Sequence, residues 1–173
     1  MKTILAINGS ASRNSSNSHL LNFIKDIIEP EFQFEIIENL YELPSFQTVL
    51  TNENTPDAII ELRSKIEAAS GVLFCTPEYV FSIPSGLKNI LEWCVSTVVF
   101  SNKKVAIITA SAHGVKGHEE LQMILKTIYA QVLDEHTLLI QGVKGKFDAS
   151  GTLKDKKTEQ DLQTLVQSFL KTI

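Results

Sequence analysis

Between Asn8 and Ser18 the chain reads Asn-Gly-Ser-Ala-Ser-Arg-Asn-Ser-Ser-Asn-Ser. Hydroxyls and amides at this density are hydrogen-bond donors for an anion, and Arg13 adds a charge that does not titrate near neutrality. A short apolar run, Met1–Ile7, precedes the segment. An amphipathic pattern (Leu20, Leu21, Ile24, Ile27, Ile28) follows it. A strand, a hydroxyl-rich turn and a helix start form a phosphate grip, because the first helical N–H groups lack partners and sit at the positive end of the dipole. The turn has no Gly-Lys-Ser/Thr, so it is not a nucleoside-triphosphate loop. It lacks the second and third glycines of the dinucleotide pattern. Its hydroxyls and Asn17 suit a terminal phosphate monoester held from several sides. Ser16 or Ser18 is expected to cap the following helix, which is compatible with that role.

Two further stretches carry polar or unusual residues. Thr76–Ser85 is a loop between Pro77 and Pro84 that holds Glu78 and the apolar triplet Tyr79-Val80-Phe81. Proline fixes φ and stiffens such a loop. Apolar side chains on a turn beside a phosphate site suit a flat heteroaromatic ring, or alternatively a subunit contact. Glu78 is expected to be structural, accepting backbone N–H groups of its own loop. In Ala110–Gly117, Ser111-Ala112-His113-Gly114 can close over the other edge of a ring, with Gly114 permitting close approach. His113 either donates to a ring oxygen or stays solvated. Cys75 and His113 both fall at strand ends, and a cysteine hydrolase needs its nucleophile and base in hydrogen-bond reach. Cys75 closes an apolar strand, which instead reads as an inert buried thiol.

These loops need elements to hold them. Lys2–Ile7 is predicted as the first strand, Ser18–Glu29 as a helix, and Phe32–Glu38 as the second strand. Asn39–Pro56 is irregular, and a helix runs from Asp57 through Ala69. Gly71–Cys75 is a continuous apolar run suited to a strand buried on both faces. Leu87–Val95 is helical, Lys104–Thr109 a strand, Glu119–Ala130 a helix and Val132–Ile140 a last strand region long enough to hold a bend. Gly142–Gly151 is a loop before a terminal helix, Asp155–Lys171. Regular alternation implies an α/β doubly wound parallel sheet with helices on both faces, a single domain over residues 1–173. With strand order 2-1-3-4-5 the three loops leave neighbouring carboxyl ends at the switch point and form one crevice.

Composition narrows the partners. The chain has 173 residues, 43% of them hydrophobic, and a formal net charge of -4. No dense basic run supports nucleic-acid binding. No stretch is apolar for long enough to cross a bilayer. The apolar run after Lys2 is too short for a secretory signal core, so a cytoplasmic location is expected. Cys75 and Cys94 show no metal-ligand spacing, and in a reducing compartment they are expected to be free thiols.

The first loop resembles the Gly-Ser-x-Arg-x-x-Ser-x-Asn segment of the NAD(P)H-dependent FMN reductase family. The second stretch, Pro77-Glu78-Tyr79-Val80-Phe81-Ser82-Ile83-Pro84-Ser85-Gly86-Leu87-Lys88-Asn89-Ile90-Leu91-Glu92-Trp93, is similar to that family's Pro-Glu-Tyr-Asn-x-Ser-x-Pro-x-x-Leu-Lys-Asn-x-Leu-Asp-Trp. The resemblance implies a flavodoxin-like three-layer sandwich and an FMN-dependent NAD(P)H oxidoreductase that passes hydride from NADH or NADPH to a small acceptor. It implies that Ser10, Ser12, Arg13, Ser16, Asn17 and Ser18 hold the FMN phosphate. Pro77, Glu78, Tyr79 and Val80 would run along the isoalloxazine ring, with Ser111 and Gly114 near its other side. No dedicated catalytic acid or base is expected, because the flavin carries the chemistry. A homodimer or homotetramer is implied, with Val80, Phe81 and the Trp93–Phe100 stretch as contact surface. The sequence departs from the pattern twice. One extra residue separates Ser10 from the arginine, so Ser12 and Arg13 compete for its place, and Val80 replaces an asparagine. The alternative reading is a flavodoxin-type electron carrier, which would be more acidic and carry a Thr/Ser-Gly-x-Thr loop.

Overall fold

Strands and helices alternate along the whole chain in the computed structural model, which describes residues 1–173. The strands are β1 (Lys2–Asn8), β2 (Phe32–Ile37), β3 (Gly71–Thr76), β4 (Lys104–Ser111) and β5 (Gln131–Gln141). The helices are α1 (Ser16–Ile27), α2 (Asp57–Ala68), α3 (Ser85–Cys94), α4 (Val115–Thr127) and α5 (Lys156–Leu170). All strand pairs are parallel, in the expected order β2-β1-β3-β4-β5.

Alternating side chains divide the interior in two, as the strand period requires. Leu5, Ile7, Val72, Phe74, Val105 and Ile107 face α2, α3 and α4. Ile4, Ala6, Leu73, Cys75, Ala106 and Ile108 face α1 and α5. Each fully buried Leu or Ile contributes about 1.5–3 kcal/mol, so both layers are needed to hold the central strands. Cys75 and Cys94 belong to opposite layers and are free thiols. No helix is long and apolar enough to cross a membrane.

Several boundaries differ from the sequence reading. Helix α1 starts at Ser16, because Ser15 rather than Ser16 or Ser18 is the cap and accepts the Ser18 N–H at 3.1 Å. Strand β4 runs on to Ser111, and α4 already starts at Val115, after Gly114 turns the chain at φ 85. The expected bend in the last strand is a register shift. Val105 pairs with Val132 but Ile107 pairs with Thr137, leaving Leu133–His136 outside the ladder. Trp93, Val99 and Phe100 were expected on a contact surface; at 0%, 9% and 2% exposure they are core, and only Val95 and Val98 of that group are exposed. Trp93 is drawn inward by the irregular segment before α2. Its indole N–H donates to the Pro44 carbonyl at 2.8 Å, and the Asn89 amide also donates there at 3.0 Å.

Candidate functional site

Strands β1, β3 and β4 are neighbours, so the loops leaving Asn8, Thr76 and Ser111 meet at the sheet's carboxyl edge. They enclose a cleft of about 580 Å³, within the range that takes a small molecule. Ser10, Ser12, Ser16 and Asn17 line it from the first loop, Pro77 and Tyr79 from the second, and Ser111 from the third.

The first loop ties itself down with short polar bonds. The Asn8 side-chain Oδ1 accepts the Ser10 N–H at 3.0 Å, and the Ser10 hydroxyl accepts the Ser12 N–H at 3.2 Å. At the start of α1 the N–H groups of Ser16 and Asn17 have no acceptor in the chain. Both residues face the cleft, so two unpaired donors and the positive helix end are available to an anion. The Asn17 amide is otherwise engaged: it donates to the Ala110 carbonyl at 3.3 Å and accepts the Cys75 thiol at 3.3 Å. It clamps α1 to β3 and β4 and leaves its backbone N–H for a ligand. Burial pushes the Cys75 thiol well above the ordinary range, and it has no bond to the exposed His113, so no nucleophile–base pair forms.

Arg13 and Ser18 do not reach the lining. The Arg13 guanidinium lies 3.7 Å from Glu42, and the Ser18 hydroxyl is turned inward onto Asn8 and Ser15. The cap at Ser15 and the buried Asn17 keep the family spacing from Gly9 without an insertion. Ser12 therefore occupies the position of the pattern's arginine.

The second loop is a two-residue hairpin. Tyr79 and Ser82 exchange N–H···O bonds of 2.9 and 3.0 Å across Val80 (φ 52) and Phe81 (φ 60). Both central residues are left-handed, a turn that normally selects Asn and Gly. Such a conformation costs an ordinary L-residue about 1–2 kcal/mol. Two carboxylates of different origin hold it. Glu78 accepts the N–H groups of Gly114 at 3.2 Å and Gly117 at 2.9 Å. Glu120 on α4 accepts the Ser82 hydroxyl at 2.6 Å and the Ile83 N–H at 3.0 Å. Gly117 permits this approach, since a Cβ there would lie 3.3 Å from both the Glu78 Cβ and the Ser82 carbonyl. Glu78 is structural, but its partners belong to the next loop and α4 rather than to its own loop. The N–H groups of Val80 and Phe81 have no acceptor in the chain.

Glu78, Val80, His113 and Gly114 thus stand behind or beside the cleft rather than on its lining. Gly114 shapes the turn, and His113 is exposed. The sequence reading missed Asn14, Ser15 and the segment Gly142-Val143-Lys144, all of which line it. A signal for the last was available: the segment directly follows a strand's carboxyl end.

A family model described as NADPH-dependent FMN reductase matches residues 2–144. The chain is 30% identical over 172 residues to the NADH:(hydroxy)cinnamate reductase subunit CrdA of Vibrio ruber, covering 96% of this chain and 84% of that one. It is 31% identical over 180 residues to an NADH-dependent flavin reductase subunit 2 of Lactobacillus johnsonii, covering 97% and 95%. Its fold is similar to that of FerB, a flavoenzyme NAD(P)H:(acceptor) oxidoreductase of Paracoccus denitrificans, with a TM-score of 0.79 at 24% identity over 99% of this chain and 96% of that one.

Proposed function

Since this chain belongs to the NADPH-dependent FMN reductase family, we propose that the carboxyl-edge cleft is where it binds FMN and where hydride arrives from NADH or NADPH. The family makes the chain an oxidoreductase with FMN as cofactor and NAD(P)H as co-substrate. The observation that carries the assignment is the convergence of three loops on one cleft, with unpaired N–H groups at Ser16 and Asn17 on one side and at Val80 and Phe81 near the other.

The residues fit an anionic tail and a flat ring at separate ends. The N–H groups of Ser16 and Asn17, with the hydroxyls of Ser10, Ser12 and Ser15, form the anion end. Pro77 and Tyr79 form a stiff wall for the ring, and the unpaired N–H groups of Val80 and Phe81, beside that wall rather than on the lining, are donors that a ring edge reaching past Tyr79 would meet. Bound FMN supplies the hydride-accepting ring and passes electrons on. The chain's own contribution is positioning: Glu78 and Glu120 fix the hairpin, and the Asn17 amide fixes the anion end. No side chain is assigned as acid or base.

The relatives' names specify different acceptors, a (hydroxy)cinnamate in one and a flavin in another. We assign this chain a small-molecule acceptor without naming it. The chain works as a single domain in the cytoplasm and as a homo-oligomer. Assembly is supported by the exposed apolar side chains of Val95, Val98 and Tyr129. Anaerobic mixing of the flavin-loaded protein with NADH or NADPH tests the function. Rapid bleaching of the flavin bands is expected, whereas an electron carrier would show none.

A further inference from the structure

The phosphate end of the cleft has hydroxyls and N–H groups, but the loop's arginine lies outside its lining. Arg13 pairs with Glu42, its side chain is 78% exposed, and it does not line the cleft. A phosphate monoester brings close to two negative charges at neutral pH, and a helix start offers only about half a positive charge in return. Among the residues lining the cleft, Lys144 alone carries a formal charge at neutral pH. Its ammonium makes no ion pair within the chain.

The position of Lys144 is built by the fold. Gly142 turns the chain after β5 at φ 61 and donates its N–H to the Ala112 carbonyl at 3.1 Å, closing this segment onto the end of β4. Val143 is buried in the layer beneath α1 and α5. Phe147 packs edge-on against His19 of α1 at 5.4 Å, and the His19 ring reaches the Asn14 amide oxygen at 3.2 Å. The segment bearing Lys144 is therefore fastened to the first turn of α1 and lines the same cleft as Ser16 and Asn17.

We propose that Lys144 is the counter-charge for the FMN phosphate in this chain, a binding role that rests on the assignment of FMN to this cleft. A cation delivered after the last strand replaces one that the first loop has turned away.

The test is a fluorescence titration of the flavin-freed protein with FMN and with riboflavin, which lacks the phosphate, at low and raised salt. Lys144→Gln is expected to weaken FMN binding roughly 10- to 100-fold, the scale of a lost charged hydrogen bond. It should leave riboflavin binding unchanged and flatten the salt dependence. Lys144→Arg should retain most of the FMN affinity, and Arg13→Gln should leave it within about twofold, below what one surface ion pair contributes. Unchanged FMN affinity in Lys144→Gln overturns the proposal, as does an equal loss of riboflavin and FMN, which would mark a structural role. Failure of the unaltered chain to bind either flavin removes the cleft assignment itself, a separate result.

Discussion

Val80 holds a left-handed backbone that a β-branched residue rarely adopts. Its side chain is 94% exposed, so no packing offsets the strain. Replacing it with asparagine, which tolerates that region, should stabilise the fold by about 1 kcal/mol. A higher urea midpoint with an unchanged slope checks this; an unchanged or lower midpoint contradicts it. Glu78 acts in the opposite sense. Glu78→Ala strips the N–H groups of Gly114 and Gly117 of their acceptor, and a loss of about 1–3 kcal/mol is expected in the same assay. FMN affinity should fall with it, because the hairpin loses one of its two anchors. The sequence singled out Glu78 but not its partners. These lie 36 and 39 residues away, and no local pattern encodes such a contact. Arg13 was misplaced for a related reason: its partner Glu42 lies in an irregular segment that periodicity does not describe.

At the scale of elements, α1 and α3 depend on particular polar contacts. Ser15→Ala removes the cap of α1 and should cost about 1 kcal/mol, with weaker FMN binding as the first turn frays. Trp93→Phe keeps most of the buried ring but loses the bond to Pro44. A loss of about 1 kcal/mol is expected, with faster amide exchange confined to the segment around Pro44 and Phe46. Exchange that rises evenly over the whole chain would contradict the latch. The strands were legible because each central one is a continuous apolar run. Helix starts were less legible, since the residue that caps depends on backbone geometry. Ser15, Ser16 and Ser18 are equivalent as letters, yet only Ser15 has the extended backbone that aims its hydroxyl at a helical N–H.

For the whole molecule, the strand order decides where chemistry is possible; alternation made a doubly wound parallel sheet legible, but the order β2-β1-β3-β4-β5 came with the resemblance to a flavodoxin-like family, since alternation alone fits more than one order. The fourth wall of the cleft was not legible, because Gly142–Lys144 joins it only through the bond to Ala112 and the packing against α1. Acid sensitivity is also a global property. Burial holds His118 and His136 below the ordinary imidazole value of 6.5. Both are neutral in the fold, so the unfolded chain binds protons first as pH drops. Their contribution is complete above pH 6.5 and is lost as pH falls toward the lowered folded values. Urea midpoints on either side of that pH should show the decline, and His136→Phe should reduce it. The central claim is that FMN sits at the carboxyl edge between α1 and the hairpin. Titrating isotope-labelled protein with FMN while following backbone amide resonances tests it most directly. The expected shifts cluster at Ser16, Asn17, Val80, Phe81 and the Gly142–Lys144 segment. Shifts centred elsewhere, or none at saturating FMN, would contradict the account.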